Sequence, residues 1–174
     1  KYLASKAFGL TSYYDYLISN WFNKKLGISF PDKKIIAGNK LDKLRYGENP
    51  HQKSSIYIHG NESEEIGFKK ISGKNLSYNN YNDIFSALEI LYSLKKTGTV
   101  IIKHANPSGV SINKSPIKSF QNALSSDPVS AFGGIVSCNF KIDRKIAIEL
   151  SKTFFEVILA KKFKKDFLNI LQKR

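Results

Sequence analysis

The sequence contains no methionine, one cysteine, one tryptophan and only three arginines in 174 residues. Each scarcity closes off a class of function. The lone Cys138 excludes an intrachain disulfide framework and leaves no cysteine pair for zinc, and a reducing, cytoplasmic setting is expected. No apolar run approaches the ~20 residues that a membrane-spanning helix needs, so no membrane partner is expected. Direct readers of base edges usually rely on arginine forks, and Arg45, Arg144 and Arg174 are few for that task. Acidic residues are also in the minority, 14 against 28 lysines and arginines, for a net charge of +14. The lysines are dispersed, which favours a solvated surface over a nucleic-acid track. A basic nucleic-acid-binding module is the alternative reading, marked by salt-sensitive binding to RNA. Phosphate-binding signatures are missing too: there is neither a GxxxxGK[ST] loop nor a GxGxxG fingerprint.

What is present can build a core, at 41% hydrophobic and 13% aromatic residues. Residues 1–22 place Leu3, Ala4, Ala7, Phe8, Leu10, Tyr14, Leu17, Ile18, Trp21 and Phe22 at three- and four-residue spacing, which predicts a long amphipathic helix. Residues 23–43, with Gly27, Pro31 and Gly38, read as a linker. Ser54–His59 alternates like a strand. Residues 82–96 set Ile84, Leu88, Leu91 and Leu94 along one helical stripe, with cap chemistry near Asn79 and Asn80. Val100–Ile102 is a short buried strand. Ser115-Pro116 opens a helix to about Leu124. A strand over Gly134–Cys138, a helix capped by Asp143 and running to Lys152, a strand over Val157–Ala160 and a basic helix from about Lys164 complete the pattern. Strands alternating with helices predict an α/β fold, a layered sheet with flanking helices and a largely parallel centre. The chain starts on what reads as mid-helix and ends at LNILQKR without a stop signal, as a piece of a longer protein would.

Three turn-rich stretches fall where the sheet should open. In KHANPSG, residues 103–109, Lys103 and His104 close a strand that Pro107 and Gly109 turn away. Histidine is the side chain most readily poised as a base near neutral pH, and an adjacent ammonium can stabilise an oxyanion. A surface lysine beside a capping histidine is the plainer reading. LRYGENPHQ, residues 44–52, brings an Arg45 fork suited to phosphate and a flat Tyr46 face, or else a structural corner. In SDPVSAFGG, residues 126–134, glycine allows backbone to approach a ligand beside Phe132, which could equally be core. A zinc deaminase site is not expected, because His104-Ala105-Asn106 lacks the glutamate that such a motif requires.

Together with LSYNN at residues 76–80, these stretches, in this order and spacing, resemble the bifunctional purine biosynthesis family, in which AICAR formyltransferase is joined to IMP cyclohydrolase. KAFGLTSYYDYLISNWF looks like the last helical part of the cyclohydrolase domain. The resemblance implies that residues 1–40 are the C-terminal helix of that domain plus a linker. It assigns 41–174 to the N-terminal part of the transformylase domain, with a cytidine-deaminase-like fold lacking zinc. It implies formyl transfer from 10-formyltetrahydrofolate, as co-substrate, to AICAR. It assigns His104 as the base and Lys103 as the oxyanion stabiliser. Arg45, Tyr46, His51, Asn80, Phe132, the Gly133 backbone and Glu156 would shape the AICAR pocket, without a metal. A homodimer is implied for the complete protein, and the segment alone is expected to be inactive. A structural dimerisation piece, indifferent to loss of Lys103 or His104, is the plain alternative.

Overall fold

Helical periodicity at the start of the chain produces helix α1 (Tyr2–Lys25), which ends where Gly27 takes a positive φ of 67°. The computed structural model describes residues 1–59, 66–164 and Ile170. They form two units: Lys1–Leu44 with Ser54–Ile71, and Arg45–Lys53 with Ser72–Arg174.

In the first unit, residues 23–43 are not wholly linker. Gly38–Lys43 forms strand β1, antiparallel to β2 (Ser55–His59). Its polar composition, GNKLDK, hides it from a search for apolar alternation. The anticipated stripe of α1 is mostly exposed, Leu3, Phe8, Leu10 and Trp21 among it, and Tyr16 is the buried residue of the helix. The Tyr16 hydroxyl lies 3.2 Å from His59 Nε2, and His59 Nδ1 lies 2.8 Å from the Ala37 carbonyl. If Nδ1–H donates to that carbonyl, Nε2 is left to accept from the tyrosine.

The second unit is an α/β layer structure. Helix α2 (Tyr78–Ser93) begins earlier than the apolar stripe suggests. Ser77 is its cap, and Ser77 with Asn80 makes a reciprocal capping box. A four-stranded sheet follows, in the order β4-β3-β5-β6, built from β3 (Gly98–Lys103), β4 (Asn106–Ile112), β5 (Gly134–Ile142) and β6 (Phe155–Phe163). Between β4 and β5 lie α3 (Pro116–Ser126), capped by Ser115, and the single turn α4 (Pro128–Ala131), capped by Asp127. Asp143 caps α5 (Arg144–Leu150).

The sheet is not largely parallel. Strand β3 pairs antiparallel with both β4 and β5, and only β5 and β6 run parallel. The expectation fails because KHANPSG, which reads as a loop, is a hairpin. Lys103 pairs with Asn106, His104 and Ala105 make the turn, and Pro107 and Gly109 lie inside β4. Proline is tolerated there because β4 is an edge strand with a bulge opposite Ile101 and Ile102. Gly109 serves close packing, since a Cβ at that position would overlap the Ala123 carbonyl of α3. The expected basic helix from Lys164 lies almost wholly outside the described residues.

Alternation along β3 and β5 divides the core. Ile101, Val136 and Cys138 join Phe120, Ala123, Ile146, Ala147 and Leu150 from α3 and α5. Val100, Ile102 and Ile135 have the opposite parity, and α2, which packs on β3 and β5, buries Ile84, Ala87, Leu88 and Leu91. Because β3 opposes β5 and β6, its carboxyl end coincides with their amino ends. That shared end carries the unusual residues.

Candidate active site

The turn at the end of β3 is strained. His104 and Ala105 have φ of 52° and 60°, the two left-handed residues that mark a type I′ hairpin. Asparagine and glycine suit such positions. A residue with a Cβ costs roughly 1–2 kcal/mol in this region, so something must hold it there. The Ala105 N–H donates to Asp83 Oδ1 at 2.6 Å, and the Asn106 side-chain amide donates to the His104 carbonyl at 2.8 Å. The His104 side chain is exposed, and among the described residues no hydrogen bond holds its imidazole.

Lys103 is the opposite case. Its half-buried ammonium donates to the carbonyls of Gly133 at 2.9 Å and Phe132 at 3.2 Å. An ammonium has three protons, so these two bonds fix its position and leave one direction for a ligand. Gly133 has φ 68°, and a Cβ there would stand 3.0 Å from the lysine nitrogen. The glycine therefore allows both the backbone turn and the approach of the cation. Its N–H donates to the Phe154 carbonyl at 2.8 Å, tying the α4–β5 link to the start of β6. Phe132 is 63% exposed and lies 5.6 Å, ring to ring, from the exposed Phe154. It is a wall facing solvent and not part of the core.

Helix α2 joins these pieces. Asn80 is buried, and its side chain accepts from the Ser77 N–H while its amide donates to Glu156 Oε2 at 2.6 Å. The carboxylate at the start of β6 is thus fastened to the first turn of the helix. Arg45 and Tyr46 lie alongside the entry to the same helix: the Arg45 N–H donates to the Leu76 carbonyl, and the Tyr78 N–H to the Tyr46 carbonyl. The exposed guanidinium packs over the Tyr46 ring at 4.8 Å and donates to its hydroxyl at 3.2 Å. The loop carrying His51 closes through Gly47 N–H to the Gln52 carbonyl, and Asn79 donates to the Glu48 carbonyl. His51 itself is exposed.

Backbone and side-chain bonds therefore gather Arg45, Tyr46, Asn80, Lys103, His104, Phe132, Gly133 and Glu156 around one end of the sheet and the amino end of α2. Sequence reasoning missed Asp83 and Phe154. Asp83 carried a weak signal, an acid one helical turn after Asn79 and Asn80; Phe154 carried none apart from adjoining Phe155. Cys138 is not a hidden nucleophile, since burial pushes its thiol up to about 12. Among the described residues, no group of three His, Cys, Asp or Glu side chains could hold a metal ion.

The arrangement offers an accessible imidazole that follows a fixed cation in the chain, with an aromatic wall at the same turn, a carboxylate tethered to α2 and a guanidinium at the entry to that helix. It suits proton removal coupled to stabilisation of a developing negative charge. The family described as the AICARFT/IMPCHase bienzyme matches residues 1–174. Among curated proteins, the bifunctional purine biosynthesis protein PurH of Thermoanaerobacter sp. (strain X514) is 43% identical over 174 residues, covering 99% of this chain and 34% of the relative. PurH of Persephonella marina is 42% identical, with the same two coverages of 99% and 34%. PurH of Rhodospirillum rubrum is 45% identical over 91% of this chain and 30% of the relative. The chain thus spans about a third of the length of these relatives.

Proposed function

The chain belongs to the AICARFT/IMPCHase bienzyme family, and we propose that it is a segment of an enzyme transferring a formyl group from 10-formyltetrahydrofolate to AICAR. The complete protein would also close the product to IMP. Residues 1–40 are the end of the cyclohydrolase part with its linker, and 41–174 begin the transformylase part. The latter has a cytidine-deaminase-like α/β fold without zinc, and the complete protein works as a cytoplasmic homodimer.

The chemistry requires help at two atoms. The exocyclic amine of AICAR is conjugated with its ring and carboxamide, which makes it a poor nucleophile. As it attacks the formyl carbon, His104 takes a proton from the amine nitrogen. The carbonyl oxygen gains negative charge in the tetrahedral intermediate, and the Lys103 ammonium stabilises it. Collapse breaks the bond to the folate nitrogen, which receives the proton that His104 carries. Arg45 and Tyr46 serve the nucleotide, and Phe132 with the Gly133 backbone limits its position. Glu156, held by Asn80, accepts hydrogen bonds from it.

The observation that carries this reading is the pairing of opposites at one turn. Lys103 is anchored by two carbonyls, while the adjoining His104 side chain is exposed on a strained hairpin. The test is His104→Ala in the complete protein, assayed for formyl transfer. Turnover is expected to fall by about 10²–10⁴, with only a moderate loss of AICAR binding. Equal turnover by variant and parent removes His104 from the reaction.

A further inference from the structure

The left-handed turn that presents His104 is built from residues that do not favour it. Neither His104 nor Ala105 is glycine or asparagine, yet both have positive φ. Their two-residue loop joins β3 to β4 at an exposed end of the sheet, where competing turn geometries are accessible. Two side chains hold the observed one. Asn106 reaches the His104 carbonyl from within the hairpin itself. Asp83 reaches the Ala105 N–H from a different element, the second turn of α2, at 2.6 Å. The second bond is the more informative, because it ties the hairpin to the helix that also fastens Glu156 through Asn80.

We propose that Asp83 is a positioning residue: its carboxylate clamps the Ala105 N–H and so holds the turn in the one conformation that aims the His104 imidazole. The catalytic half of this inference rests on the function proposed above. The clamp itself rests only on geometry. A carboxylate accepting from a backbone N–H makes a charge-assisted bond, stronger than a neutral one. Its helix anchor is rigid, since Ile84, Ala87 and Leu88 are buried directly after it. Asp83 does not have to touch substrate. Its effect is on the fraction of molecules in which the base points correctly, and it should therefore govern turnover more than substrate affinity.

Three variants of the complete protein separate positioning from general stability. Asp83→Ala is expected to lower kcat by about 10- to 100-fold, the size expected for a misplaced reacting group, with KM for AICAR changed little. Asp83→Asn retains an oxygen that can accept the same bond and should keep most of the activity. Adding Ala105→Gly to Asp83→Ala should recover much of the lost kcat, because glycine adopts positive φ without steric cost. An unchanged kcat in Asp83→Ala overturns the proposal. So does a loss that Ala105→Gly leaves unrelieved, or one that Asp83→Asn shares in full. The clamp is read independently by hydrogen exchange at the Ala105 amide, which should quicken at least several-fold in Asp83→Ala; unchanged exchange overturns it. If Asp83→Ala does not fold, exchange and kcat in Asp83→Asn and in Ala105→Gly alone decide: both should retain the turn and activity, and loss of activity in Ala105→Gly counts against the proposal. If the unsubstituted complete protein transfers no formyl group, the function proposed above fails with the catalytic half, and amide exchange still decides the clamp.

Discussion

At the Gly98 end of β3, polar groups are closed upon one another. The Gly98 N–H donates to Asn139 Oδ1 at 2.9 Å, and the Asn139 amide donates to the Lys96 carbonyl at 2.7 Å. Ser119 Oγ lies 3.1 Å from Thr99 Oγ1 and 3.0 Å from the Ser111 carbonyl, with Thr99 and Ser119 both fully buried. At the Lys103 end the bonds position groups without satisfying them all, the Lys103 ammonium and the Glu156 carboxylate included. Lys103 has two of its protons engaged, His104 is exposed, and two left-handed residues store strain. The same strand thus ends once in a satisfied network and once in an incomplete one. Buried polar groups need partners for the fold to survive. Groups prepared for a ligand must instead be positioned without being consumed, and strain that persists at such a place is a sign of over-determination by its surroundings.

Substitution at each end should break different properties. Lys103→Ala is expected to lower kcat for formyl transfer in the complete protein by about 10²–10³, the loss typical of one oxyanion stabiliser. AICAR binding should change much less. Normal turnover with a greatly raised Michaelis constant would make Lys103 a binding residue and erase half of the contrast. At the other end, Ser119→Ala should cost about 1–3 kcal/mol in denaturant unfolding, because it removes the buried hydroxyl whose one proton serves the Thr99 hydroxyl or the Ser111 carbonyl. Its kcat should equal that of the parent. A Ser119→Ala protein of undiminished stability would mean that the Gly98 network is slack.

Particular elements explain what the sequence disclosed and what it concealed. Helix α2 was legible because Ile84, Leu88 and Leu91 share a face, and α3 and α5 because Ser115-Pro116 and Asp143 are local caps. Strand β1 was hidden by polar residues whose pairing with β2 depends on the partner strand. The hairpin after β3 was hidden for a deeper reason. His-Ala is not a turn signal, and its conformation is supplied by Asp83, distant in sequence. The apolar stripe of α1 correctly indicated a helix, but periodicity does not say what covers it, and Tyr16 is buried instead. Candidate site residues were legible as motifs. The resemblance placed them in one pocket, but that this end is the carboxyl end of β3 and the amino end of β5 and β6 was not legible, because it depends on β3 opposing β5.

The smallest effect concerns acid, and it also divides the two ends. Asp127 caps α4, accepting from the Ser130 N–H at 2.9 Å, and α4 leads directly to the Phe132 and Gly133 carbonyls that receive Lys103. Its carboxyl is held below the ordinary 3.8, chiefly by the side-chain hydrogen bond with Ser130 and next by the backbone one. A depressed carboxyl stabilises the folded form above its unfolded pKa, and that contribution is lost as pH falls through the lower folded value. The loss should therefore begin near 3.8 and continue below it. The Gly98 network has no counterpart, being made of hydroxyls and amides, with the Cys138 thiol 3.8 Å from Thr99 Oγ1 pushed up to about 12. The protection of the Ser130 amide, taken relative to intrinsic exchange at each pH, should fall in this acid window before that of Gly98 does. Asp127→Asn, which preserves the cap without the titration, should remove the acid-induced change at Ser130 while leaving neutral-pH exchange almost unaltered. An Asp127→Asn protein that keeps the same acid response would show that another carboxyl, and not this cap, loosens the Lys103 end.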